Sequence, residues 1–442
     1  HYKIIISFIK INISCMHKRV AFLLSLIPLI PIVKILFTGK TIALTSSAIV
    51  LANSVKVQAD DRATFFYDRG IYDLRRGRIE KGIENLTEAI LINPQYIEAY
   101  YNRGIAKHYE LNDFEGAIED YKKALEINPN YKNAYEQIGI AKYQQDDFAG
   151  AISYFKKTAE FDQTDRKLYF NIGIISRKIG DMKGSINAFT KAITIYPSYT
   201  NAYYNRGLSY VEIKDYKKAI LDFKKMIEID PKDEDGYVAL GGAKIDSGLF
   251  DEAIIDLTKL IEINPRNSFA YYNRAKAKEG IKDYSGAIND YTKALEINPK
   301  YQNAYVDRGN IKSDRGNYSG AINDLNKAIE INPKFAGAYS NRAMIKFILE
   351  DNQGAINDLN KAIEVDPNYA DAFNNRAVIK QELKDYSGAI KDYSKAIKIN
   401  PNKANSYYGR GEAKYLKGKV KGACSDWQKS ISLGFDKKEQ NR

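Results

Sequence analysis

The spacing of proline in the second half of the chain constrains the fold more than any other feature. Pro299, Pro333, Pro367 and Pro401 follow one another at steps of 34 residues. One phrase returns between them: YSGAINDYTKALEINP at 284–299, YSGAINDLNKAIEINP at 318–333 and YSGAIKDYSKAIKINP at 386–401. A fixed period of this size means a stacked repeat array, in which each repeat touches only its neighbours. The usual count of domains from length therefore does not apply to these 442 residues.

With the proline set at position 32, eleven repeats tile residues 63–437, and the second is one residue longer, between Arg103 and Asp113. Each repeat reads as two helices. In the seventh, Ala287, Ile288, Tyr291, Ala294 and Leu295 form an apolar stripe at helical spacing. Asn298-Pro299 stops that helix, because a residue before proline avoids the helical region. Tyr271 and Ala275 share one face of the first helix, and Asp283-Tyr284-Ser285-Gly286 reads as the turn between the two. Neither short helix can bury its stripe alone, so the repeats must stack.

Position 8 is glycine eight times, at Gly70, Gly104, Gly139, Gly173, Gly207, Gly241, Gly309 and Gly411. Glycine inside a helix costs roughly 0.5–1 kcal/mol against alanine, so something bulky must lie against that spot. The large residue at position 24 is the expected neighbour (Leu86, Tyr121, Phe155, Phe189, Phe223, Leu257, Tyr291, Leu325, Leu359, Tyr393 and Trp427).

An aromatic at position 4 (Phe66, Tyr100, Tyr135, Tyr169, Tyr203, Tyr237, Tyr271, Tyr305, Tyr339, Phe373, Tyr407), small residues at 8, 20 and 27, a large one at 24 and proline at 32 resemble the tetratricopeptide repeat family, of a bacterial type. The resemblance implies an all-α, right-handed superhelical solenoid of helix-turn-helix repeats. Two departures stand out. Lysine replaces the family's aromatic at position 11 in eight repeats, including Lys244, Lys278, Lys312, Lys346, Lys380 and Lys414. Met226 and Leu260 replace the small residue at position 27.

Seven repeats pair Arg at position 7 with Asp at position 23: Arg103/Asp120, Arg206/Asp222, Arg274/Asp290, Arg308/Asp324, Arg342/Asp358, Arg376/Asp392 and Arg410/Asp426. This co-occurrence predicts an ion pair between the two helices of a repeat. An exposed pair would stabilise by only ~0–1 kcal/mol.

The net charge of +12 is uneven, with seven basic residues and no acid in residues 1–59 and 60 basic against 55 acidic residues beyond them. Acids interspersed along helices make a solvated face, so nucleic-acid binding is not expected. Residues 1–59 read as a leader and residues 60–442 as the array. Met16 is a plausible start. Met16-His17-Lys18-Arg19, the apolar runs Val20–Val33 and Ile42–Ala52 and the small pair Val57 and Ala59 fit a signal peptide cleaved after Ala59, or an uncleaved membrane anchor. The protein is thus expected outside the cytoplasm, or anchored through the leader, its only membrane contact.

No catalytic base and nucleophile stand together, so no enzyme is expected, and no cofactor or metal. His108 has no second ligand at metal spacing and reads as an exposed loop-edge residue, while Cys424, at a position usually isoleucine, reads as a buried thiol. Asp233 reads as a helix cap.

In this family the first helices line a concave groove. The resemblance places Tyr67, Tyr101, Tyr204, Tyr272 and Tyr408 there at position 5, and Asn102, Asn171, Asn205, Asn273, Asn341 and Asn375 at position 6. Tyrosine offers contact area with a polar tip, and asparagine both donates and accepts, which suits a protein or peptide ligand. The same tyrosines also fit packing against the next repeat. The family's carboxylate clamp is excluded, since Asn310 and Asn341 are present but position 5 is Val306 rather than lysine. A structural component of a cell-envelope complex, self-associating at the C-terminal repeat, is the rival reading.

Overall fold

A computed structural model describes residues 46–435, with side chains from Ser54 onward. Every described element is an α-helix, 22 in all. Residues 1–45, which hold the first apolar run of the expected leader, lie outside the described residues. The first helix runs without a break from Ser46 to Arg75 and contains Val57–Ala59. Internal contacts divide the chain between Arg62 and Ala63, inside this helix. Among the described residues no helix is long and apolar enough to cross a membrane.

The seventh repeat shows how each unit is built. Its helices are Ser268–Gly280 and Tyr284–Ile297. The turn between them is shorter than the sequence suggested, because Ser285 and Gly286 already lie in the second helix. Lys282 takes a left-handed conformation, φ 64°. Asp283 then caps the second helix by accepting from the Gly286 N–H at 2.9 Å. Gly286 is glycine because a β-carbon there would sit 2.1 Å from the Asp283 carboxylate. The same device recurs at Asp113, Asp147, Asp181, Asn317, Asp351 and Asp385, each accepting from a glycine N–H. A cap of this kind stabilises by ~1 kcal/mol, which offsets much of the roughly 1–2 kcal/mol that a non-glycine residue costs in the left-handed region. Asp233 caps its helix as expected, accepting from Gly236 at 3.1 Å. The helix of repeat seven ends at Asn298, whose side chain accepts from the Lys300 N–H at 3.1 Å.

The array has no single core. Buried side chains form a succession of clusters, each shared between adjoining repeats. Phe189, Tyr203, Phe223 and Leu240 join repeats four, five and six in one of them. Met226 and Leu260, the two large residues at position 27, are fully accommodated there and in the next cluster. The position 8 glycines face the position 24 side chains, as their spacing predicted. A β-carbon on Gly139, Gly173 or Gly207 would lie 2.5–2.7 Å from the ring of Phe155, Phe189 or Phe223.

At six joints, between repeats four and seven and between repeats eight and eleven, first helices of successive repeats touch one another, whereas second helices make no comparable contact. The first helices therefore lie on the inside of the array's curve and the second helices on the outside.

The predicted ion pairs form in all seven repeats, and they are bidentate. Arg308 donates from Nε to Asp324 Oδ2 at 2.9 Å and from Nη2 to Oδ1 at 2.7 Å. The Asp324 side chain is only 2% exposed, so the pair belongs to the interior rather than the surface. Two further groups converge on it. Lys312 Nζ donates to Asp324 Oδ2 at 2.8 Å, and Arg308 Nη1 donates to Thr292 of the preceding repeat at 2.8 Å. The guanidinium also lies over the Tyr305 ring, 5.7 Å from its centroid. One arginine thus ties both helices of its own repeat to the repeat before it.

This network accounts for six of the eight position 11 lysines, whereas Lys142 in repeat three pairs with the helix-capping Asp147 instead. Asp120, Asp290, Asp358, Asp392 and Asp426 each receive a lysine as well as an arginine. Repeat five has Tyr210 at position 11, so Asp222 meets Arg206 alone. Burial raises the Asp222 pKa, and Arg206 offsets this only in part. At Asp426 burial acts the same way, but Arg410 and Lys414 together hold the pKa below the usual carboxylate range. Repeat six lacks the arginine, and Lys244 alone bridges Asp256 and Glu252. Repeat one inverts the polarity, with Asn85 donating to Asp73 at 3.0 Å.

Candidate functional site

The inner face carries the position 5 and position 6 residues, and the structure shows what each touches. Tyr67 packs on Tyr96 with ring centroids 5.0 Å apart. Tyr101 packs on Tyr131 at 5.3 Å, and Tyr272 on Tyr301 at 4.7 Å. Tyr204 lies 6.2 Å from Phe223, and Tyr408 stacks on Phe435 at 4.3 Å. All five tyrosines are half-buried. Burial pushes the Tyr67 hydroxyl up to about 12 and raises those of Tyr101 and Tyr272 further. They remain neutral at physiological pH and act as contact surface and hydrogen-bonding groups.

Three of the six asparagines on the same face bond to a neighbouring repeat. Asn102 donates to the Tyr67 hydroxyl at 3.1 Å, Asn341 to Asn310 at 2.9 Å and Asn375 to Ser340 at 3.1 Å. Asn205 donates to the Asn201 carbonyl of its own helix at 2.8 Å. Asn171 is exposed and Asn273 half-buried. The Asn310–Asn341 pair occupies the two clamp positions that the sequence does contain. Val306, where the clamp needs lysine, is buried against Leu325 and Ala338.

Two residues depart from the sequence reading. His108 is buried, not exposed, because the extra residue of repeat two lengthens its first helix to Glu110. The ring stacks on Tyr109 at 4.2 Å and meets Phe114 edge-on. Nε2–H donates to Gln144 of repeat three, and Nδ1 accepts from the Tyr121 hydroxyl at 3.4 Å. Burial lowers the His108 pKa, against the opposing effect of the Gln144 bond. The fold therefore favours the neutral ring. That contribution is complete above the unfolded pKa near 6.5 and is lost as pH falls below it. Amide protection across repeats two and three, taken relative to the unfolded-chain exchange rate at each pH, should fall between pH 7.5 and 5.5. His108→Leu should abolish that difference, and a difference that survives the substitution would refute the assignment.

Cys424 is exposed, not buried. The isoleucines at its position, such as Ile288, are half-buried against the following repeat, Ala304 and Ile311 included. Among the described residues no helix follows Cys424 to cover it in that way. Nor do three metal-ligating side chains gather anywhere among those residues.

Family models described as tetratricopeptide repeats match residues 200–233 and 268–301, and also 167–199 and 234–267. A third, described as TPR repeat, matches 107–146, 309–347, 344–384 and 381–418. The chain belongs to the tetratricopeptide repeat family.

Matches at 200–233, 234–267 and 268–301 coincide with the register set by the proline. Tetratricopeptide solenoids are typical scaffolds for protein–protein interaction. A search of curated proteins returns no match. Among solved structures, the chain is similar to yeast Tom70, at 16% identity over 86% of this chain and 94% of that one, with a TM-score of 0.45. It is also similar to MamA, at 27% identity over 38% of this chain and 97% of that one, TM-score 0.33. A tetratricopeptide repeat protein from Parabacteroides merdae ATCC 43184 is 23% identical over 54% of this chain and 95% of that one, TM-score 0.45. Within the tetratricopeptide framework the position 11 lysines are a local variation. They exchange an aromatic contact for a buried ionic one.

Proposed function

We propose that this tetratricopeptide array is a non-catalytic scaffold that holds an extended protein or peptide segment along the concave face of its first helices. One observation carries the reading. The second helices repeat nearly one phrase, while the inner first helices vary at position 5 from Tyr272 to Glu136, Val306 and Ser340. A regular scaffold whose exposed first-helix side chains change from repeat to repeat suits recognition of a specific segment. Affinity would accumulate from contacts spread over several repeats.

Selection of random displayed peptides on the full chain tests this. Selected peptides should bind along the first helices. Replacing Asn171, Asn205 and Asn273 together with alanine should weaken them about tenfold, ~1.4 kcal/mol, with thermal unfolding unchanged. Unaltered affinity in that triple variant would remove the assignment of the face.

A second reading is an assembly component of a cell-envelope complex that self-associates through its terminal repeats. It is favoured by the exposure of Val420 and Ile431, 52% and 67%, on the last described helix. Sedimentation of the full chain discriminates, since Ile431→Asp should dissolve any such oligomer and leave a peptide-binding monomer untouched. The basic-apolar-small order of residues 1–59 supports export or membrane anchorage. N-terminal sequencing of the native protein decides between a cleaved and a retained leader.

A further inference from the structure

Aromatic pairs close the joints between repeats on the inner face. In repeats one, two, four and seven the ring at position 5 packs on the ring at position 34: Tyr67 on Tyr96, Tyr101 on Tyr131, Phe170 on Tyr199 and Tyr272 on Tyr301, with centroids 4.7–5.3 Å apart. In two of these repeats the hydroxyl at position 5 reaches position 6 of the following repeat. Asn102 donates to Tyr67 at 3.1 Å, and Tyr272 donates to Asp307 at 2.8 Å.

Repeats eight and nine keep the second ring of the pair and lose the first. Phe335 and Tyr369 stand at position 34, but position 5 is Val306 and Ser340. A cavity of about 370 Å³ opens at this place, lined by Val306, Phe335, Gly337, Asn341, Asp366 and Tyr369. Its volume lies within the usual range of ligand pockets, ~300–1,000 Å³. Gly337 lies between the two rings. A β-carbon there would meet Phe335 at 3.4 Å and the Tyr369 hydroxyl at 3.7 Å. Asn341 stands at position 6, where Asn102 and Asp307 meet a tyrosine hydroxyl in the closed joints.

We infer that this cavity receives a tyrosine side chain of the bound peptide. The inference rests on the scaffold reading above and names the anchor residue of its ligand. The chain's own closed joints are the template. An aromatic ring stacked on position 34, with its hydroxyl turned to position 6, completes the arrangement that repeats one and seven make internally. Phenylalanine would fill the same volume without using Asn341. Glycine at position 337 leaves space for the peptide backbone beside the ring.

The test uses the full chain with N-acetyltyrosine amide as the probe, observed by saturation-transfer NMR. The probe should bind, N-acetylphenylalanine amide should bind several-fold more weakly and N-acetylalanine amide should give no signal. Val306→Tyr restores the missing ring, and Gly337→Leu fills the cavity from the surface of the first helix. Both should weaken the probe at least tenfold with the thermal transition retained. Equal binding by wild type and the filled variant that keeps its fold overturns the proposal, as does equal binding of the alanine probe. Peptides selected on the wild type should be enriched in tyrosine and lose affinity on Gly337→Leu. Selected peptides without tyrosine that bind both forms equally defeat the cavity assignment and leave the scaffold reading standing. A fill-sensitive probe with no selectable peptide does the reverse. Self-association that the filling variants abolish would reassign the cavity to a second copy of the chain and overturn the proposal.

Discussion

Asp324→Ala is expected to destabilise the joint between repeats seven and eight by about 3–5 kcal/mol. The substitution leaves Arg308 and Lys312 facing each other without their shared anion, in a setting where Arg308 is only 13% exposed. Arg308→Ala should cost less, because Lys312 remains to neutralise Asp324. A double-mutant cycle between Arg308 and Asp324 should show coupling above ~1 kcal/mol, within the range found for directly contacting residues. Amide exchange over repeats seven to nine is the appropriate measurement, since an array of this kind loosens locally. Coupling below ~0.5 kcal/mol would show that the network is incidental. The exposed Lys327–Glu330 pair is the internal control, and its removal should leave exchange unchanged.

The second large effect concerns glycine, and its sign depends on the repeat. Gly207→Ala places a β-carbon 2.5 Å from Phe223 Cε1 and 2.7 Å from Cζ. Phe223 is fully buried and has nowhere to retreat, so an overpacking loss of about 1–3 kcal/mol is expected. The same substitution at Gly309 meets no ring, only the Ala321 carbonyl at 3.3 Å, Asp324 Cβ at 3.4 Å and Leu325 at 3.5 Å. There the helix-propensity gain of ~0.5–1 kcal/mol should prevail. Urea unfolding of the two variants against the wild type would settle the contrast. Equal shifts in one direction would mean that the position 24 side chain does not decide the cost.

Much of this architecture could be read before any coordinates. The proline period, the aromatic at position 4 and the small-large match of positions 8 and 24 led directly to stacked helical pairs. One further signal lies in the relation between neighbouring repeats. Repeats followed by an arginine-bearing repeat carry Thr87, Thr190, Thr258, Thr292, Asn326, Asn360 or Ser394 at position 25. Repeats followed by one without it carry Lys122, Lys156 or Lys224. The structure explains the rule, because the arginine Nη1 donates backward to the hydroxyl or amide at that position. The rule is visible only across a repeat boundary, because donor and acceptor belong to different repeats.

By itself the sequence determined the repeat length, the helical pairs, the arginine–aspartate partners and the glycines that let helices approach. All of these are local or lie at a fixed offset within a repeat, and such relations survive in a linear text. Tertiary structure alone decided burial at the places where repeats meet. It turned a modest surface ion pair into an interior network and buried His108, because one inserted residue moved it onto the next repeat. It left Cys424 exposed among the described residues, although the same position is covered elsewhere. Whether a position 5 side chain fills its joint or leaves a cavity depends on rings contributed by another turn of the chain. Those relations arise from stacking, and the stacking exists only once neighbouring repeats have excluded water from between them.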